Sequence, residues 1–172
     1  MPQHLLRLSV CHGMGLAVPG ATLRAMSEPF DMYQAPGHLI RRAHQRGVAI
    51  FMEETAGYDV TSVQFAILHE LMNRPGEDQV TLASRVAFDA ATSGSVIGRL
   101  EKRGWLRREN DARDRRRKLL WLTAEGEAAV QELRVYAARV QARLVENLNA
   151  QECEQLRVLL SKLIYGDGEP VR

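Results

Sequence analysis

The fold is decided by residues 89–123, which read DAATSGSVIGRLEKRGWLRRENDARDRRRKLLWLT. The first part predicts a slim helix, because Asp89 is a good N-cap and the six residues after it are small. Val96, Ile97 and Leu100 supply the buried side of that helix. A short strand-like run (WLRR, residues 105–108) and an apolar strand (LLWL, residues 119–122) follow, separated by the turn-rich residues 110–114. They predict a hairpin that ends near Thr123.

Positive charge is concentrated in this stretch. Between Arg99 and Lys118 there are ten basic and four acidic residues, a balance of +6, whereas the whole chain sums to +2 and the rest therefore to −4. A basic patch on a nearly neutral chain indicates a local contact with a polyanion. The tip of the predicted hairpin carries Arg113, Arg115 and Arg116, which suit the narrow and strongly negative minor groove of DNA. The alternative interpretation is a solvated charged face.

Two further helices are predicted before the slim helix. Residues 80–88 (VTLASRVAF) predict a short helix, and one tight turn separates it from the helix at Asp89, which is helix-turn-helix spacing. Residues 61–73 (TSVQFAILHELMN) carry apolar side chains at helical spacing. This order predicts a winged helix-turn-helix lobe over residues 61–123, with the slim helix in the major groove of DNA. Its candidate DNA-contacting side chains, besides the arginines of the hairpin tip, are Thr92, Ser93, Ser95 and Arg99.

The segments SGSVIGRLEKRGWLRR (residues 93–108) and DARDRRRKLLWLTAEG (residues 111–126) resemble the MarR family of bacterial transcription regulators. The resemblance implies that the second helix of the helix-turn-helix reads the major groove and that Arg115 and Arg116 enter the minor groove. It also implies that Asp114 orients a neighbouring arginine instead of touching DNA. The sequence shows no departure from the family's motif in these segments.

The segments outside the lobe predict helices, so the predicted fold class is mainly α. Residues 35–60 and 124–166 form the predicted dimerisation region, in which leucine and valine recur at spacings of three and four. Such stripes are buried either in a bundle within one chain or against a second copy. The resemblance implies a homodimer that presents two recognition helices to half-sites about 10 base pairs apart on pseudo-palindromic DNA. Residues 1–34 are predicted to be an irregular N-terminal arm.

A polar cluster lies on the first helix, over residues 37–46 (GHLIRRAHQR). The resemblance implies a small aromatic acid as effector, bound between the dimerisation helices and the DNA-binding lobe. Helical spacing places Arg42 on one stripe with Leu39 and Ala43, so we expect it to be partly buried and to need an anionic partner such as a carboxylate. An ion pair with an acid of a partner chain, or plain exposure, is the alternative. The candidate ligand-binding residues are His38, Arg41, Arg42, His44 and His69.

The order PGHLIRRAHQ also resembles repressors of aromatic-acid catabolism of the NicR and BpsR type. That resemblance implies nicotinate or 6-hydroxynicotinate as the effector. Two alternatives stay open. A redox-sensing regulator would use Cys11 or Cys153, but Glu152 and Glu154 flank Cys153 and disfavour a thiolate. A protein-interaction module that has lost DNA binding would be expected to have an eroded wing, and this wing is intact.

Several function classes find no support in the sequence. It contains no phosphate-binding glycine loop, no nucleophile elbow and no HExxH motif, so we do not expect an enzyme. Neither cysteine has a CxxC or HxxxH partner, so no metal and no cofactor is predicted. There is no run of about 20 apolar residues, and we therefore expect a cytoplasmic protein without membrane contact.

Overall fold

The computed structural model describes residues 29–114 and 116–166, and these ranges are mainly helical, with one small sheet. The elements, in chain order, are a 3₁₀ turn Met32–Gln34, α1 Pro36–Glu54, α2 Ser62–Asn73, β1 Glu77–Asp78, α3 Gln79–Arg85, α4 Ala90–Lys102, β2 Leu106–Asn110, β3 Lys118–Leu122, α5 Ala124–Leu144 and α6 Ala150–Tyr165. The predicted fold class, a mainly α winged helix-turn-helix, is confirmed. Most of the predicted N-terminal arm, residues 1–28, lies outside the described residues.

Side-chain caps mark where the helices begin. Thr61 before α2 and Asn149 before α6 each form a capping box with the third residue of the helix. One carboxylate oxygen of Asp78 accepts hydrogen bonds of 3.1 and 3.2 Å from the first free N–H groups of α3. Gly104 follows α4 with a φ of 80°, a left-handed conformation that glycine adopts readily and that turns the chain towards β2.

The sheet has three antiparallel strands in the order β1-β3-β2. Leu106 lies opposite Leu122 in the hairpin of β2 and β3, while Glu77 of β1 lies opposite Leu120 on the other edge of β3. Sequence analysis predicted the two strands of the wing but not β1. A strand of two residues shows no alternation of apolar and polar side chains, so its sequence carries no signal.

Two buried clusters meet at Trp105. The core of the winged helix-turn-helix lobe lies between α2, α3, α4 and the sheet, and its fully buried side chains include Ile67, Leu68, Leu71, Leu82, Ile97, Leu100, Leu106 and Leu120. The second cluster lies between α1 and α5 and comprises Ile50, Phe51, Val60, Leu133 and Val140. Because the half-buried Trp105 packs against both clusters, it joins the lobe to the long helices.

Helix α1 lies along α5, and ion pairs tie the two together. Arg143 of α5 donates hydrogen bonds of 2.8 Å to Glu53 and 2.7 Å to Glu54. Arg46 of α1 donates one of 2.8 Å to Glu146, two residues after α5 ends. These contacts fix the C-terminal halves of both helices against each other, next to the second buried cluster.

Helix α6 buries none of its own residues. Leu159, Leu163 and Ile164 each keep about two thirds of their surface exposed, at 65%, 65% and 66%. This exposure argues against the intramolecular bundle, one of the two arrangements that the leucine spacing allowed. Across the described ranges, no helix is long and apolar enough to span a membrane.

Candidate nucleic-acid interface

Helix α4 has a buried face and an exposed face. Ile97 packs into the core of the lobe, whereas Thr92, Ser95 and Arg99 are exposed on the other side. The Thr92 hydroxyl donates a 2.9 Å hydrogen bond to the Asp89 carboxylate, and the Ser95 hydroxyl donates one of 2.9 Å to the Thr92 carbonyl. Since these donors are used within the helix, both hydroxyl oxygens offer lone pairs to a partner outside it.

Ser93 was predicted to contact DNA, and the structure corrects this prediction. Its side chain is only 1% exposed, and the Gln79 amide donates a 3.4 Å hydrogen bond to its hydroxyl oxygen. The spacing of Ser93, Ile97 and Leu100 places all three on the buried stripe of α4, a signal that the sequence contained. Ser93 therefore joins α4 to α3 and does not face the surface that DNA would approach.

The wing tip is ordered by two aspartates. The Arg113 N–H donates a 2.8 Å hydrogen bond to the Asp111 carboxylate, and the Arg116 N–H donates one of 3.0 Å to the Asp114 carboxylate. Such aspartate turns hold the backbone while leaving the neighbouring side chains in solvent. Asp114 thus orients a neighbouring arginine through its backbone. Arg115 lies outside the described residues.

The described arginines between Arg99 and Arg117, on α4, the turn after it and the wing, fall into two groups. One group holds the lobe together: Arg107 contacts Glu109, Arg108 lies 3.0 Å from Glu101, Arg117 contacts Asp78, and Arg103 contacts backbone carbonyls. The other group consists of Arg99, Arg113 and Arg116, which are exposed and have no carboxylate partner among the described residues. All three of these unpaired arginines belong to the set predicted from sequence.

Asp78 anchors the base of the wing, a role that sequence analysis missed. The Arg117 guanidinium donates a 2.8 Å hydrogen bond to Asp78, whose side chain is 17% exposed, and lies 3.5 Å from Asp111. Desolvation raises the pKa of Asp78, but hydrogen bonds from Arg117 and Thr81 outweigh it and lower the pKa from 3.8 to about 2. The cap at α3 has a sequence signal, whereas the contact with the wing joins residues far apart in the chain.

Two neighbouring cavities share Phe65 of α2 and Ala137 and Gln141 of α5 in their linings. The first, about 610 Å³, has His44 and apolar side chains of α1, α5 and α6 in its lining. The second, about 530 Å³, is lined by His69, Arg85 and Arg134 among others. Phe65 lines both cavities. The structure therefore brings two of the candidate ligand-binding residues, His44 and His69, to adjoining spaces.

The other candidate ligand-binding residues lie outside these cavities. Arg41 and Arg42 are exposed. The burial expected of Arg42 is wrong for the single chain, because the described residues of the same chain leave its side chain exposed. His38 is half-buried with its ring edge-on to Tyr33, 5.5 Å between centroids, and its buried Nε2 has no hydrogen-bond partner among the described residues.

The histidine of α2 and the described cysteine have ordinary surroundings. The ring of His69 tilts against Phe65, 5.7 Å between centroids, and lies 3.3 Å from the Asn73 amide. Cys153 is half-buried, with its sulfur 3.9 Å from the Leu148 carbonyl, and Cys11 lies outside the described residues. Over residues 29–114 and 116–166, no three histidine, cysteine or carboxylate side chains are grouped to hold a metal ion.

Comparison with known proteins identifies the family. A family model described as "MarR family" matches residues 60–118. The chain is 33% identical over 127 residues to the transcriptional regulator HosA of Escherichia coli O127:H6, which covers 74% of this chain and 93% of the relative. It is 32% identical over 139 residues to the HTH-type transcriptional repressor NicR of Pseudomonas putida, which covers 81% and 88%.

A solved structure agrees with this assignment. The chain resembles Bordetella bronchiseptica BpsR, from work on how 6-hydroxynicotinic acid regulates the DNA binding of that protein, with a TM-score of 0.76 and 34% identity. The likeness covers 83% of this chain and 100% of that one. Family model, relatives and fold agree with the resemblance carried by the segments around the wing. The chain therefore belongs to the MarR family of transcriptional regulators.

Proposed function

We propose that this protein is a dimeric repressor that binds pseudo-palindromic operator DNA in the cytoplasm and is released by a small aromatic carboxylate. The observation that carries the proposal is the group of exposed, unpaired arginines on α4 and the wing, Arg99, Arg113 and Arg116. Arginines held apart from carboxylates are available to phosphates and to guanine edges. The relatives NicR and BpsR support the choice of a repressor and of a nicotinate-like ligand.

The proposed DNA interface has two parts. Helix α4 enters the major groove, where outward lone pairs of hydroxyls accept from base amino groups and arginine donates to guanine or phosphate. The wing tip enters the minor groove, where arginine is favoured by the narrow, negative walls. The proposed DNA-contacting residues are Thr92, Ser95, Arg99, Arg113, Arg115 and Arg116.

A second copy of the chain is the proposed cover for α6. The exposed apolar side chains on α1 and α6 include Leu39, Ile40, Leu159, Leu163 and Ile164. An unsupported apolar helix of 16 residues is not stable on its own in water. A symmetric dimer buries these side chains and places one lobe on each half-site of the operator.

The proposed ligand site lies at the cavities that flank Phe65. A ring bound there contacts α2 of the DNA-binding lobe and α5 of the dimerisation region. Such a ligand shifts the equilibrium between the DNA-binding and the released arrangement of the lobes only by its difference in affinity for these two arrangements. It must therefore contact both the lobe and the dimerisation region. The proposed ligand-binding residues are His44 and His69, which line the cavities, together with His38, Arg41 and Arg42, which lie outside them in the single chain. An arginine of α1 is the proposed partner of the carboxylate.

Fluorescence anisotropy tests this function. The protein is titrated onto its own upstream DNA at several salt concentrations, and the complex is then titrated with nicotinate, 6-hydroxynicotinate and benzoate. Tight, salt-sensitive binding that one of the acids reverses supports the proposal. Binding that no acid reverses contradicts the ligand assignment, and binding no tighter than to a scrambled duplex contradicts the assignment as a repressor of its neighbouring genes.

Arg116→Ala and Arg42→Ala are expected to separate the two sites. Arg116→Ala should weaken operator binding about tenfold and reduce the salt slope by about 1, because one arginine–phosphate contact is lost. Arg42→Ala should leave operator binding unchanged and raise the concentration of acid that releases the DNA. Arg139→Ala on α5, which also removes an exposed arginine, is the control for charge. Equal loss of DNA binding in Arg116→Ala and Arg42→Ala, with unchanged release by acid, would refute this division.

A further inference from the structure

We propose that Arg103 is a positioning residue that fixes helix α4 relative to α1 and α5, and thereby sets the half-site spacing that the dimer accepts. The proposal rests on the proposed dimeric binding of DNA. Arg103 lies one residue after α4 ends, at the opposite end of the helix from the exposed hydroxyls of Thr92 and Ser95.

Arg103 clamps the loop that joins α1 to α2. One guanidinium nitrogen donates a 2.7 Å hydrogen bond to the Asp59 carbonyl, and the other terminal nitrogen donates to the Tyr58 carbonyl. The guanidinium also stacks on Trp105, with its carbon 3.8 Å from the ring centroid. Because the fork of an arginine is planar and rigid, two carbonyls and one ring fix its orientation, which a lysine cannot reproduce.

The same loop is fixed to α5 on its other side. The Tyr58 hydroxyl donates a 2.5 Å hydrogen bond to the Glu132 carboxylate and lies 3.4 Å from the Tyr136 hydroxyl. The hydrogen bond to Glu132 raises the pKa of Tyr58 above its ordinary value, so this phenol stays a donor. Asp59 holds a φ of 47°, a left-handed conformation that keeps the loop tightly turned. Contacts therefore run without a break from the end of α4, through the loop, to α5.

The length of α4 makes this clamp important for spacing. The helix has 13 residues and is therefore about 20 Å long. A rotation of about 10° at its C-terminal end moves its N-terminal end by about 3.4 Å, the rise of one base pair. Thr92 and Ser95 lie near that moving end. Without the fork of Arg103, the packing of Trp105 remains as the contact that holds α4 at its angle to α1 and α5. The dimer should then tolerate operators whose half-sites are closer together or further apart.

The test compares spacing preference, which a purely structural role would not change. An operator is selected from random-sequence DNA by the wild-type protein, and duplexes are made with the half-sites moved closer or apart by one and two base pairs. A duplex with a single half-site completes the set. Anisotropy gives the Kd of wild type, Arg103→Lys and Lys102→Arg for each duplex. Arg103→Lys keeps the charge and loses the fork, and Lys102→Arg is the matched exchange one residue earlier. Thermal unfolding monitors folding.

Arg103→Lys is expected to reduce the preference for the selected spacing by about tenfold, the effect of losing one charge-assisted hydrogen bond. Its affinity for the single half-site should match wild type, and Lys102→Arg should keep the wild-type preference. Two results overturn the proposal: an unchanged preference in Arg103→Lys, or a loss of affinity that is equal for all duplexes. If wild type selects no operator with two half-sites, the proposed function fails first and the inference with it.

Discussion

Gly126→Ala is expected to lower the free energy of unfolding by about 3 to 4 kcal/mol. A Cβ added at Gly126 would lie 1.9 Å from the carbonyl oxygen of Trp105 and 2.9 Å from its carbonyl carbon. Backbone atoms cannot turn aside as a flexible side chain does, so the first turn of α5 must move away from the lobe. That turn is otherwise held there, because the Thr123 N–H donates a 3.1 Å hydrogen bond to the Trp105 carbonyl.

Urea unfolding followed by circular dichroism, at one protein concentration, measures this change. Gly37→Ala is the matched control, since nothing lies within 4 Å of a Cβ added there. In α1 that exchange should be neutral or stabilise the protein by up to about 1 kcal/mol. A Gly126→Ala variant as stable as Gly37→Ala would show that α5 does not start against the carbonyl of Trp105.

Asp78→Ala should cost about 2 kcal/mol of stability through two separate losses. The helix cap at α3 contributes about 1 kcal/mol, and the pair with Arg117, screened by solvent, contributes about as much again. Asp78→Asn separates them, because an asparagine oxygen still caps the helix but carries no charge for Arg117. Urea unfolding at neutral pH should therefore rank the proteins as wild type, Asp78→Asn, Asp78→Ala. Equal stability of wild type and Asp78→Asn would refute the pairing.

The same aspartate predicts a pH dependence. Its pKa falls from 3.8 in the unfolded chain to about 2 in the folded one. A group with a depressed folded pKa binds protons more readily when unfolded, so its stabilisation is present above about pH 4 and is lost as the pH falls towards 2. The difference in stability between wild type and Asp78→Asn should thus be constant from pH 7 to about pH 5 and shrink below about pH 4. A difference that grows on acidification would contradict the assignment.

Local signals in the sequence predicted most of the fold. Apolar spacing and capping residues predicted the helices; Thr61, which caps α2, is an example. The turn residues of the wing predicted the hairpin. Boundaries were less well predicted. The helix expected over residues 80–88 ends at Arg85, because Ala87 takes a positive φ and the chain turns there.

The misses concern contacts between distant segments. The stripe of α4 does contain Ser93, but small residues are compatible with either face and only packing against Gln79 settles the question. Arg103 and Asp78 act on residues 44 and 39 positions away, and no periodicity reports such pairs. Helical spacing put Arg42 on an apolar stripe but could not show that its own chain leaves the Arg42 side chain exposed.

Because helix α6 buries none of its residues within one chain, its stability should depend on the protein concentration. In the proposed dimer this helix folds only when two chains associate. The free energy of its folding therefore changes with the logarithm of the protomer concentration. Dilution then removes operator-competent molecules in the same way that an effector does, with no small molecule bound. The level at which the gene is expressed would then affect the proposed repression, in addition to the proposed acid effector.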